Sequence, residues 1–310
     1  MVAPTYYKDF QCIGGACRHN CCIGWEIDID EETLCRYKAI SGETGECLRQ
    51  KIVGDPPHFL LDSEERCPFL TGENLCGLLL TLGEDALCQI CRDHPRYRNF
   101  WPGRTEIGLG ASCEEAARLI LSQRVPLALM QDGSVITDTD ARKLYALRVK
   151  LLERAYDSLR TLDEAESEIL RLADASLPEQ QIRGWIPFYE GLERLDARWT
   201  AILREGMEYR TENGGMAFER YMGARQMEYR HMLAYFLYRH VPEALDDGNV
   251  ATKVALAVLS CRILRFLAEV RYEKNHTFSF ADQTELFRMY SAEIEYSEEN
   301  LAALYDLLWQ

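Results

Sequence analysis

The spacing of hydrophobic positions changes part-way along the chain. After Pro126, apolar residues recur every three to four positions: Leu144, Leu147, Leu151, Leu152 and Leu159 form one row, and Ile182, Trp185, Leu192, Leu195, Trp199 and Leu203 another. That period predicts amphipathic helices, each burying one stripe. Two further stretches read as long helices. One runs from Ala217 to His240 and stops before Pro242, which has no backbone donor to continue it. The other runs from Val250 to Tyr272, and its middle, Val254 to Leu267, is apolar almost all round, which predicts burial on every side. Ser297 and the segment Asn300 to Trp309 predict a closing helix. Tyr221, Tyr229, Tyr235 and Tyr238 fall on helical positions and read as core and rim.

Before Pro126 the pattern is shorter and broken by turn residues. Alternation predicts strands at Trp25-Glu26-Ile27-Asp28-Ile29 and around Phe100 to Leu109. Short helices are predicted from Asp30, with Glu31 and Glu32 in the first turn, over about Asp85 to Arg92, and after a capping box of Ser112 with Glu115. The expected fold is mainly α: a cysteine-rich N-terminal region of short strands and short helices, residues 1–123, followed by a helical array, residues 124–310. Self-similarity at periods of 20 to 50 residues is absent from the sequence.

Composition adds limits. At 310 residues, 47% hydrophobic and 27% charged, the chain can bury a large core without staples, and no apolar run is long enough for a bilayer. The N-terminal run Met-Val-Ala-Pro-Thr-Tyr-Tyr-Lys-Asp-Phe lacks the basic start and apolar stretch of a signal peptide, so the expected compartment is the reducing cytoplasm. Net charge is −15, spread over both parts, with 12 basic against 19 acidic residues through Gln123. Such a surface repels nucleic-acid phosphate and tolerates a basic partner, so neither nucleic acid nor membrane is expected. Nothing in the sequence fixes an oligomeric state.

The cysteines carry the chemistry. Eleven of twelve lie at or before Cys113, and Cys12, Cys17, Cys21 and Cys22 fall within eleven positions. Packing alone gives no reason for such density, and a reducing compartment disfavours disulfides, so metal or iron–sulfur ligation is the favoured reading. Cys35 on a helix, Cys47 in a polar loop and Cys261 read as structural. Nine ligand candidates remain: Cys12, Cys17, Cys21, Cys22, Cys67, Cys76, Cys88, Cys91 and Cys113. Four thiolates complete a zinc site or a [4Fe–4S] cluster. Only Cys88 and Cys91 form a CxxC pair, which argues against a zinc ribbon. The spacing also lacks the CxxxCxxC of radical enzymes and the bacterial ferredoxin run, leaving a site assembled from separated loops.

These residues also carry a family resemblance. The order Cys-x4-Cys-x3-Cys-Cys-x2-Trp-x-Ile-x-Ile-Asp, then Cys67-Pro-Phe-Leu, Cys76, Cys88-x2-Cys91-x3-Pro-Arg, and Ser112-Cys113 before a helix resembles the flagellin lysine-N-methylase family, FliB. It is more distantly similar to small cysteine-rich zinc- or iron-chelating proteins. The likeness runs in good order over about residues 6 to 123 and continues in length and helical character beyond. It implies methyl transfer from S-adenosylmethionine to lysine side chains of flagellin, on a protein associated with an iron–sulfur cluster, [4Fe–4S] here, with zinc as the alternative.

A lysine ammonium, with an ordinary pKa of about 10.4, must lose its proton before it attacks a methyl group, so a base or a desolvating aromatic pocket is needed. Glu26, Asp28 and His94 are the candidate catalytic groups, and Trp25, Arg92 and Arg96 the candidate cofactor-binding ones, because all lie beside cysteines. Glu106-Ile107-Gly108-Leu109-Gly110-Ala111-Ser112 imitates a nucleotide-binding turn, but the helices that follow leave no room for a doubly wound sheet. It reads instead as a tight turn that sets Cys113 near the other cysteines. The contrasting reading is a non-methylating iron–sulfur or zinc-chelating redox or interaction module.

Overall fold

The computed structural model describes residues 1–210 and 215–309. Helix makes up 59% of it and strand 9%, so the fold is mainly α, as the periodicity predicts. Two compact units share the chain: Met1–Phe10, Arg98–Ser112 and Ala116–Gln310 form the helical unit, and Gln11–Tyr97 with Cys113–Glu115 the cysteine-rich unit. This differs from a single division at 123. The first ten residues go with the helices because Ala3–Pro4 pairs antiparallel with Leu129–Met130, and Val2 exchanges backbone hydrogen bonds with Thr105 and Ile107.

In the helical unit, Val250–Asn275 is the central helix. Asn249 caps its start by accepting from Thr252 N, and His276 ends it in the left-handed conformation. Val254 through Leu259, with Cys261, Ile263, Leu264 and Leu267, are all buried, and only a partly exposed stripe of Arg262, Arg265, Phe266 and Glu269 faces outward over its middle. Gln226–His240 packs along it, and Leu162–Leu172, Ala197–Glu208 and Phe280–Tyr290 complete its coat. Starts follow local chemistry: Thr161 with Glu164 and Ser279 with Asp282 form capping boxes, and Asp138 and Ser297 accept from the first turns of Thr139–Ala155 and Glu298–Leu307. The hairpin Arg96–Trp101 and Arg104–Leu109 turns at Gly103, whose φ of 81° suits glycine.

Charge is also buried in this unit. Arg148, wholly buried, makes a bidentate pair with Glu106 at 2.7 and 2.9 Å, and its guanidinium lies 4.9 Å from the ring centres of Trp101 and Tyr238. Phe280–Tyr290 continues into a π-helical turn, Ser291–Glu295, that turns Glu295 inward to His240 Nε2 at 2.7 Å. His240 Nδ1 meets Glu243 at 2.9 Å, and Lys253 Nζ sits 3.3 Å above the Tyr305 ring.

The cysteine-rich unit has a small core of Ile27, Ile29, Tyr37, Leu48, Phe59, Cys67, Leu78 and Cys88. Phe59 stacks on Tyr37 and meets Phe69 edge-on. Its helix Glu31–Ala39 starts as the sequence predicts, with Asp30 accepting from Thr33 N. Among the described residues of the chain, no helix is long and apolar enough to cross a membrane.

Several expected elements are altered by tertiary context. Residues 25–29 form no regular strand. They run extended beside Pro57 and Phe59, through Ile29 N to Pro57 O and Phe59 N to Ile27 O, because Ile52–Val53 and His58–Phe59 pair with each other over only two residues. Asp85 to Arg92 breaks at Cys88, whose extended backbone starts Gln89–Asp93. The capping box at Ser112 does not form: the helix begins at Glu114, and Ser112 Oγ is buried without a partner. Cys47 lies in the helix Gly42–Gln50 rather than a loop. Leu159, 94% exposed, lies beyond the end of Thr139–Ala155. Met222–Arg225 interrupts the stretch Ala217 to His240.

Candidate metal centre

Five thiols share the core of the cysteine-rich unit, and the exposed Cys21 adjoins them through Cys22. Cys67 and Cys88 are core members, and Cys22, Cys76 and Cys91 pack against them half-buried. Cys22 shares thiol hydrogen bonds with Cys21 and with Cys67. Its single S–H is shared between the two, which pushes its thiol up while Cys21 and Cys67 are pushed down. The sulfurs of Cys88 and Cys91 stand 3.3 Å apart. Their shared hydrogen bond lowers Cys88 and raises Cys91, which also feels the charge of Cys21 and Cys67.

The backbone prepares three of these sulfurs for negative charge. Besides the thiol of Cys22, Cys67 accepts from the N–H groups of Phe69 and Leu70. Cys76 is raised by burial, against which the N–H groups of Leu79 and Leu78 act. The N–H of Cys91 favours the Cys88 thiolate in the same way. Cys76 and Cys88 are also the cap residues of Gly77–Leu82 and Gln89–Asp93, with extended backbones, and neither side chain closes a cap hydrogen bond. N–H donors at a sulfur stabilise thiolate over thiol and are among the levers that tune metal–thiolate sites.

Sulfur donors are the type a soft metal takes. Neighbouring thiols cannot all ionise unless a cation offsets their repulsion, and a small core is the kind that gains from one. Zinc–sulfur bonds of about 2.3 Å hold tetrahedral sulfurs about 3.8 Å apart, slightly more than the Cys88–Cys91 separation. Among the described residues, no group of three or more His, Cys, Asp and Glu side chains stands as a ready-made ligand set.

The other predicted ligands form an outer group. Cys12 is exposed, its sulfur 3.4 Å from Gly14 N. Cys17 lies 3.9 Å from Glu114 Oε2, and burial raises its thiol. Glu114, next to Cys113, binds Arg18 through both its N–H and its Nε at 2.9 and 2.8 Å, so Cys113 belongs to the cysteine-rich unit although it follows the hairpin in sequence. Cys35 and Cys47 are exposed, and Cys261 is buried in the helical unit against Tyr229 O.

Glu26 and Asp28 are exposed on one side of the extended segment while Ile27 and Ile29 are buried on the other, so the alternation survives without the strand. Glu26 Oε1 is 3.9 Å from His58 Nδ1. Trp25 is half-buried, as are Arg92, His94 and Arg96, which follow Cys91, and Arg96 Nη1 donates to Arg92 O at 3.1 Å. Burial, with the Arg96 charge behind it, pushes His94 down to about 4, which keeps the imidazole neutral and a weak base.

The model of the FliB lysine N-methylase C-terminal domain matches residues 130–310. The chain belongs to the FliB lysine N-methylase family. It is similar to the lysine-N-methylase of Salmonella typhimurium strain LT2, 28% identical over 160 residues that cover 49% of this chain and 40% of that protein. The flagellar biosynthetic protein FliU of Salmonella muenchen is 27% identical over 153 residues, covering 47% of this chain and 90% of that protein. The chain thus spans about two fifths of the length of the lysine-N-methylases it matches. No solved structure matches it.

The FliB domain match falls on the helical unit, whereas the cysteine pattern that carries the resemblance in sequence lies before it. What the spacing of that pattern leaves out is the backbone's part. Cys67-Pro-Phe-Leu, Cys76-Gly-Leu-Leu and Cys88-Gln-Ile-Cys each place a cysteine two to three residues before free N–H groups, which reads as a cap as readily as a ligand.

Proposed function

We propose that this FliB-family chain is a cytoplasmic lysine N-methyltransferase that transfers methyl groups from S-adenosylmethionine to lysine side chains of flagellin, and that it carries a thiolate-held [4Fe–4S] cluster. The observation that carries the reading is the match of the lysine N-methylase domain over residues 130–310. The flagellar name of a relative that the match covers almost end to end supports flagellin as the substrate. S-adenosylmethionine would supply an electrophilic methyl group on a sulfonium. A cluster, or zinc in its place, would be held by four of Cys21, Cys22, Cys67, Cys76, Cys88 and Cys91, of which Cys67, Cys76 and Cys88 have sulfurs already facing backbone donors. The protein's task at the amine is to strip water and a proton from the lysine, which burial in an apolar, aromatic site accomplishes without a strong base.

Incubating anaerobically purified protein with labelled S-adenosylmethionine and flagellin, followed by mass spectrometry, tests this. Methylated flagellin lysines are expected, and unmodified flagellin in the presence of bound metal would overturn the reading. In that event the second reading, a metal-chelating redox or interaction module, is favoured by the convergence of thiols in a unit outside the matched domain.

A further inference from the structure

A cleft in the helical unit has a composition suited to one kind of guest. It holds about 350 Å3 of non-atom space, counting the part open to solvent, and within it there is room for about one water. Four tyrosines, Tyr6, Tyr156, Tyr235 and Tyr238, come together there from the N-terminal segment and two helical regions, and Val125, Pro126 and Leu127 form an apolar side. His231 is its imidazole.

The hydroxyls of three of these tyrosines are occupied. Tyr235 donates to Glu295 at 3.0 Å while accepting from Ala111 N and Arg239. Tyr238 donates to Ile107 O at 3.2 Å. His231 Nε2 is 2.8 Å from Gln123 O, and a carbonyl only accepts, so the proton is on Nε2 and Nδ1 accepts from Tyr156 at 2.8 Å. Tyr6 differs. Its ring is 6% exposed, it lines the cleft among the other three phenols, and its hydroxyl has no hydrogen-bond partner among the described residues. The Tyr6 side chain is buried while its hydroxyl keeps solvent access, so it opens on the cleft and can meet a polar atom of a guest.

We propose that this cleft receives a lysine side chain, its nitrogen beside the Tyr6 hydroxyl and its methylenes along Val125, Pro126 and Leu127. Nitrogen is close to water in size, and the four-carbon stem suits the apolar side. Aromatic faces hold the charged form of an amine on entry, and the desolvated interior favours the neutral form that methylation needs. The inference rests on the lysine-methylation reading and adds the place where the substrate binds.

The test uses n-butylamine as a lysine side-chain surrogate and trimethylsulfonium as a donor surrogate, titrated into the whole protein with tyrosine fluorescence as the readout. Tyr6→Phe removes the hydroxyl and keeps the ring, and Ala128→Phe narrows the cleft from its exposed rim. Saturable binding of n-butylamine is expected, weakened about fivefold by Tyr6→Phe, the size of one hydrogen bond, and further by Ala128→Phe. The KM for a lysine-containing flagellin should rise in parallel with little change in kcat. Undiminished amine binding in both variants would overturn the proposal, as would binding of trimethylsulfonium in place of the amine. Methylation with a KM indifferent to both variants would overturn this cleft while leaving the activity standing. Amine binding that depends on Tyr6 in a protein without methyl transfer would overturn the activity while supporting the cleft.

Discussion

The two units of this chain hold themselves together differently. The helical unit buries most of one helix, Val250–Asn275, under a coat of aliphatic and aromatic side chains, and satisfies its buried charges with partners within the unit, Arg148 with Glu106 and His240 with Glu295. The cysteine-rich unit spans almost ninety residues yet has a core of only eight buried apolar side chains, two of them cysteines, with three more thiols packed against it. One core stands on hydrophobic area. The other draws a quarter of its buried apolar side chains from cysteine, a small hydrophobe that contributes less area than leucine or isoleucine.

The sharpest way to break that comparison is to take the metal away. Anaerobic protein should be brown, absorb broadly near 400 nm and contain about four irons per chain. Chelation under oxidising conditions should then let proteases cut within residues 11–97, while a fragment covering most of 116–310 survives, because metal-binding energy is folding energy only for the unit that holds the metal. Equal digestion of both units would show one cooperative structure, and colourless protein with stoichiometric zinc would replace the cluster with the alternative metal.

A finer cut separates cysteines within the unit. Serine at Cys67, Cys76 or Cys88 should remove most of the metal, measured by iron analysis, since each of these sulfurs is served by backbone donors. Serine at Cys35 or Cys47, both exposed, should leave it unchanged. Identical metal content across the two sets would mean that backbone donors do not mark the ligands.

In the helical unit the largest single loss should come from Arg148→Met. Removing one partner of a buried pair costs about 3 kcal/mol, at the low end because Arg104 Nε remains 3.4 Å from Glu106, and calorimetry should register a lower Tm in the helical unit alone. Gly110→Ala comes next. Its Cβ would fall 1.9 Å from the Tyr296 hydroxyl and 2.9 Å from the ring, a clash of about 1–3 kcal/mol by the usual cost of overpacking. A variant with unchanged Tm would mean that Tyr296 moves freely.

The smallest effect is a pH dependence. Burial alone would lower His240, but Glu243 and Glu295 outweigh it and hold its pKa above the ordinary value, so its contribution is full below about pH 6.5 and is lost as pH rises through the raised value. Burial alone would raise Glu243, yet His240 and Tyr305 bring it down to about 2, so its contribution is full above about pH 4.5 and is lost as pH falls toward 2. Urea midpoints of Glu243→Gln should lack the acid-side loss and retain part of the alkaline one. A wild-type-like acid limb in that variant would exclude this pair as its source.

Much of the fold is legible from local chemistry. The period of Val254 to Leu267, the caps at Asp30 and Ser297, and the stop before Pro242 act through neighbours in sequence, and each appears where the pattern puts it. Leu159 and residues 25–29 show the limit of such reading. An apolar residue at the right spacing becomes core only if another element covers it, and an alternating segment becomes a strand only if a partner of equal length lies alongside. The glycine run at 106–112 is a similar case: it looks like a phosphate-binding turn, whereas Glu106 pairs with Arg148 and Gly110 makes room for Tyr296, partners 42 and 186 residues away.

By itself, then, the sequence determined that this protein is mainly helical, that its thiols concentrate before Cys113, and that the chain resembles the family to which it belongs, because period, capping and spacing are properties of short stretches. Only the tertiary structure decided that the first ten residues join the helices, which sulfurs face backbone donors, and that Tyr6 meets Tyr156, Tyr235 and Tyr238 around one cleft. The first and last of these depend on contacts between residues a hundred or more positions apart, which packing selects and local pattern does not encode, whereas the sulfurs meet donors only two to three residues on, through the local path of the backbone.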